Sequence, residues 1–82
     1  MTTAVHFGKT EYHLNGHMIN WCNKNIGKNY SNEWVWNIPD DEFWATTGHV
    51  WAIQGSFGNT AFYFRNEADA TLFSLRWACQ PN

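Results

Sequence analysis

The sequence predicts an α+β domain: a small antiparallel sheet of three to four strands with two helices packed on one face. Three observations lead there. Residues 49–55 and 60–65 alternate in character on either side of Ser56-Phe57-Gly58-Asn59, the pattern of a β-hairpin and its turn. Residues 11–26 and 67–78 carry apolar residues at three- and four-residue spacing, each run opened by a capping residue, which is the pattern of amphipathic helices. The connections are short, which favours antiparallel neighbours and a layer of helix over a layer of sheet. At 82 residues the chain holds one domain, 1–82.

Taken in order, Ala4-Val5-His6-Phe7 reads as a short edge strand ending at Gly8. Thr10 is placed to cap a helix that starts at Glu11, whose acid suits the positive end of the helix dipole. Leu14, Met18, Trp21, Cys22 and Asn25 fall within a sector of roughly 80° to 100° on that helix, one buried stripe. Gly27 stands where a C′ glycine closes a helix. Gly16, inside it, costs about 1 kcal/mol relative to Ala.

Trp34-Val35-Trp36-Asn37-Ile38 reads as a strand stopped by Pro39, with Asp40, Asp41 and Glu42 following as a solvated loop. Phe43 and Trp44 belong to no clear element. In the hairpin, Trp51 and Ile53 share one face and Val50 and Ala52 the other; Phe62 and Phe64 share a face with Tyr63 opposite. Asn66 then caps the last helix by accepting from its free N–H groups, with Glu67 and Asp69 in the first turn. That helix has two apolar stripes: Ala68, Leu72 and Leu75 on one side, and Ala70, Phe73 and Trp77 nearly opposite. A surface helix needs one. The second stripe is either wedged inside the fold or left for a partner.

Composition narrows the function classes. Charged residues make up 15 % and aromatics 18 %, with six Trp, the reverse of a disordered chain. No apolar run is long enough for a membrane span, and residues 1–8 lack the pattern of a signal peptide. A net charge of −2 disfavours both a strongly basic nucleic-acid binder and an acidic mimic. Two cysteines, Cys22 and Cys79, are too few for a disulfide scaffold and sit among apolar neighbours, so buried thiols in a reducing cytoplasm are expected.

Catalytic patterns are thin. His13 and His17 lie four apart on one helix face and are weak candidates for a metal. Leu14 stands where a metalloprotease helix needs Glu, and His13, His17, Asn20 and Lys24 together read as a polar helix edge. No nucleophile elbow surrounds Ser31, Ser56 or Ser74, and the Gly55–Asn59 turn lacks the Lys of a phosphate cradle. No cofactor is implied. Trp34, Trp36, Trp51, Phe62, Tyr63 and Phe64 could form an aromatic platform for nucleotides or single strands, but Lys9, Lys24, Lys28, Arg65 and Arg76 are scattered.

Residues 61–77, Ala-Phe-Tyr-Phe-Arg-Asn-Glu-Ala-Asp-Ala-Thr-Leu-Phe-Ser-Leu-Arg-Trp, resemble the C-terminal strand and helix of small uncharacterised proteins of tailed bacteriophages. The resemblance covers about a fifth of the chain and brings no catalytic residue with it. It implies a protein made in the cytoplasm of an infected bacterium that binds and modulates or inhibits a host or host-defence protein.

The expectation is therefore a non-enzymatic binding protein, with Phe73, Trp77 and Trp44 as anchors and Arg76 at the rim, because Trp and Tyr dominate interface hot spots. Its partner is a host protein, with a homodimer through the same helix as an equal use of that surface. The alternatives are the aromatic platform and a metal-binding domain through His13 and His17.

Overall fold

The structure, a computed structural model, describes residues 2–7, 12–27, 38–56 and 59–77; for 12–15, 56 and 59 the description is of the backbone. Its elements are β1 (Thr3–Phe7), α1 (Tyr12–Asn25), α2 (Asp41–Thr47), β2 (Trp51–Ser56), β3 (Asn59–Phe64) and α3 (Glu67–Trp77). The three strands form one antiparallel sheet in the order β1-β3-β2. It is the α+β architecture that the periodicities predict. The cap at Thr10, the first-turn acid Glu11, most of the expected strand 34–38, and Cys79 lie outside the described residues; Ile38 itself is exposed and in no strand.

Register explains how the sheet sorts its side chains. On β3, Phe62 and Phe64 lie opposite Ile53 and Trp51 on β2, and opposite Val5 and Thr3 on β1. Because side chains alternate along a strand, these residues share one face. Tyr63 and Ala61 point the other way, beside Ala52 and Gln54 on β2 and Ala4 and His6 on β1.

The first face holds the larger core. Trp51, Ile53, Phe62 and Phe64 cluster there with Met18 and Cys22 from α1 and Ala70 and Phe73 from α3, and Val5, Phe7, Ile19, Trp21, Ile26 and Trp77 pack around them. Phe73 is the hub. Its ring centroid lies 4.7 Å from Phe62, 5.1 Å from Phe64 and 5.9 Å from both Phe7 and Trp21. All four distances fall in the range of favourable aromatic pairs. The α1 stripe thus delivers Met18, Trp21 and Cys22 as its spacing predicts. Asn25 does not join them: it is exposed, and its side-chain amide donates back to the Trp21 carbonyl. Val50 also departs from its expected face, because β2 starts only at Trp51 and Val50 bends toward the first core.

The second face is covered by an element that the acidic run concealed. Asp40, Asp41 and Glu42 are exposed but form no loop. The Asp40 carboxylate accepts from the Phe43 N–H at 2.8 Å, capping α2, and Asp41 and Glu42 occupy its first turn. Acidic groups there satisfy free N–H groups and oppose the dipole. Gly48 ends the helix in the left-handed region (φ 74°), its N–H donating to the Trp44 carbonyl. Trp44 thereby lies over Ala52, Ala61 and Tyr63, with Phe43 against it. The two alanines leave the room that an indole needs. Its N–H donates to the Thr2 hydroxyl at 2.9 Å, and that hydroxyl donates to the Pro39 carbonyl.

Two further sequence expectations change in mechanism. Gly27 does follow α1, and its N–H donates to the Cys22 carbonyl, but it is not in the left-handed region. It is glycine because a Cβ there would stand 2.6 Å from Val50 Cγ2. At the start of α3, the Asn66 carbonyl accepts from Ala70, yet its side-chain amide donates to the Asp69 carboxylate instead of accepting from the helix.

Candidate interaction surface

α3 resolves the two-stripe question. At 100° per residue, Ala70, Phe73 and Trp77 span roughly 60°, as do Ala68, Leu72 and Leu75, on nearly opposite sides. The first stripe faces the sheet: Ala70 is 3 % and Phe73 0 % exposed, and Trp77 packs at the margin of the core. The second faces outward, with Ala68 exposed, Leu72 48 % and Leu75 67 % exposed.

This reverses the expected assignment of anchors. Phe73 is the centre of the first core and Trp44, at 1 % exposure, the centre of the second, so neither can reach a partner. The physical reason is volume. A chain poor in aliphatics has to build its core from rings, and a ring with four aromatic neighbours gains more from burial than a leucine in the same place. Trp77 is half-buried. Its indole N–H is buried with no hydrogen-bond partner among the described residues, and the Arg76 guanidinium stacks 3.9 Å from its ring centroid. Arg76, the residue expected at a rim, is exposed.

The aromatic platform loses its described members to the interior. Trp51, Phe62 and Phe64 are fully buried and Tyr63 is 2 % exposed, its hydroxyl donating to Gln54 Oε1 at 2.7 Å. None offers a face on which a base could stack; Trp34 and Trp36 lie outside the described residues. His17, Asn20 and Lys24 are exposed along the polar edge of α1, whereas the side chain of His13 is not described. Among the described residues, no three His, Cys, Asp or Glu come together as a metal site would require.

Cys22 is a free thiol, buried on the inner stripe of α1. Burial pushes its pKa up to about 12, so it holds its proton and is a poor nucleophile. Burial also raises the Tyr63 phenol above its ordinary value. Among the described residues, no helix is long and apolar enough to cross a membrane.

Comparison of the chain with protein-family models, with curated proteins and with solved structures finds no match. The outward face of α3 is an aliphatic stripe of Leu72 and Leu75 with the Arg76 cation beside it.

Proposed function

We propose that the chain is a non-enzymatic binding protein that engages another protein through the outward face of α3. The observation that carries this reading is the pair Leu72 and Leu75, which remain exposed in a domain that buries Trp44, Trp51 and every ring of β3. An amphipathic helix laid into an apolar groove is recognised through anchors three and four residues apart, as these are. Ala68 extends the stripe by one turn, and Arg76 supplies a charged rim. The partner class, on the resemblance of residues 61–77 to small phage proteins, is a protein of a bacterial host cell that the chain modulates or inhibits.

A photo-crosslinking residue at position 75 tests the proposal in bacterial lysate. The expected product is one protein species, identified by mass spectrometry, which binds the unlabelled chain when purified. Leu72→Asp with Leu75→Asp is expected to abolish that binding and leave the circular dichroism spectrum unchanged. Binding that survives both charges overturns the assignment of this face.

A further inference from the structure

We infer that β1 is a self-pairing edge: two copies of this chain join antiparallel through Thr3–Phe7, about a two-fold axis at Val5, into one continuous sheet. A single hydrogen bond fixes which backbone groups face outward. The Arg65 N–H donates to the Val50 carbonyl at 3.1 Å, one step beyond the register of β2 and β3. Antiparallel ladders alternate between pairs that exchange hydrogen bonds and pairs that do not. Tyr63 and Ala61 therefore bond toward β2, while Phe62 and Phe64 turn their N–H and C=O groups toward β1. On β1, Thr3, Val5 and Phe7 answer them, and Ala4 and His6 direct their backbone groups outward, away from the sheet.

Ala4 and His6 are exposed, and no strand among the described residues pairs with this edge. Natural sheets blunt such edges with Pro, Lys, inward charges or bulges. Thr-Ala-Val-His-Phe has none of these, and its register with β3 is unbroken. At the opposite edge, Gly27 at the end of α1 lies against Val50, just before β2.

The occupant is set by self-complementarity. Antiparallel pairing about Val5 puts Ala4 opposite His6 of the second copy, and these are the residues whose backbone groups point outward. Each Ala4 then exchanges both hydrogen bonds with a His6, and the alternation requires Val5 to meet its own copy as a close, non-bonded pair. Small meets large at every other position, Ala4 with His6 and Thr3 with Phe7. Val5 and Phe7, half-buried at the margin of the first core, would be covered by their counterparts, making that core continuous across the axis. α3 packs over both β1 and β3. With strands about 4.8 Å apart, two copies of α3 would run side by side about 10 Å apart, the ordinary spacing of packed helices.

Light scattering coupled to size-exclusion chromatography tests this with the whole chain. The expected mass is about twice the 9.6 kDa of one chain. Ala4→Pro and His6→Pro each remove an outward N–H while leaving the bonds to β3 intact, and edge strands accept proline. Both are expected to give monomers with an unchanged circular dichroism spectrum. Where a proline variant fails to fold, amide exchange on the wild type decides: dimerisation protects Ala4 and His6, and dilution releases them. A wild type that stays monomeric at all concentrations overturns the proposal. So does a dimer that survives folded proline variants, or one broken only by Leu72→Asp with Leu75→Asp.

Discussion

The two faces of the sheet solve the same problem with opposite materials. On the first, Trp51, Phe62 and Phe64 meet Phe73, Met18 and Cys22 from two helices, and large residue packs against large. On the second, a seven-residue helix lays one indole over two alanines and a tyrosine. The first face derives its stability from area, the second from fit. A short helix can cover a sheet only if the strands beneath it are stripped to Cβ, and Ala52 and Ala61 are what make α2 sufficient.

This contrast can be broken most directly at its hub. Phe73→Ala removes a ring with four aromatic neighbours and is expected to cost about 3–5 kcal/mol, read as a lowered urea midpoint or outright failure to fold. On the second face the sensitive change is in the other direction. Ala61→Leu adds volume under Trp44 and is expected to cost about 1–3 kcal/mol. A loss smaller than that of a surface substitution would show that α2 is not tightly seated.

Gly27→Ala probes the close approach of α1 to the bend before β2. The added methyl meets Val50 Cγ2 at 2.6 Å, and an overpacking cost of about 1–3 kcal/mol is expected. Val50→Ala in the same chain is expected to recover most of it, which a cost from backbone conformation would not allow. Alkaline titration sharpens the comparison, since each face hides an ionisable group, Cys22 on the first and Tyr63 on the second. The unfolded Cys22 thiol ionises near 9.0 and the folded one near 12, so above pH 9 the unfolded state alone sheds its proton. Stability is full below pH 9 and falls by about 1.4 kcal/mol per pH unit as pH rises toward 12. Cys22→Ala is expected to flatten that fall in urea melts, while Tyr63→Phe isolates the contribution of the second face, where burial raises the phenol pKa. Gly16→Ala is the mildest change. Nothing lies within 4 Å of its added methyl, and a gain of about 0.5–1 kcal/mol is expected from helix propensity.

What could be read in the sequence follows the length of the pattern. α1, α3 and the hairpin repeat their periods over enough residues to assign each element, and on α1 and the hairpin also which residues share a face, so that Met18 and Cys22 lie inward together, as do Trp51 with Ile53 and Phe62 with Phe64. α2 was hidden because seven residues give barely two turns of periodicity. Its signals were its ends, a cap at Asp40 behind Pro39 and a glycine at Gly48, and an acidic triplet behind a proline reads equally well as a loop. Both stripes of α3 were visible, yet a hot-spot preference for aromatics pointed to Phe73 and Trp77 as the outer one. The competing rule prevailed: a small domain fills its interior with its largest apolar side chains first, and Leu72 and Leu75 were left outside.

The alternation along β3 has a consequence for how this chain can vary in length. Residues 60–64 serve two interiors by turns, so deleting or inserting a single position within them would send phenyl rings to the side built for alanine and leave the other side hollow. Relatives of this protein, wherever they diverge, should therefore carry their gaps between β2 and β3 and keep this strand free of them.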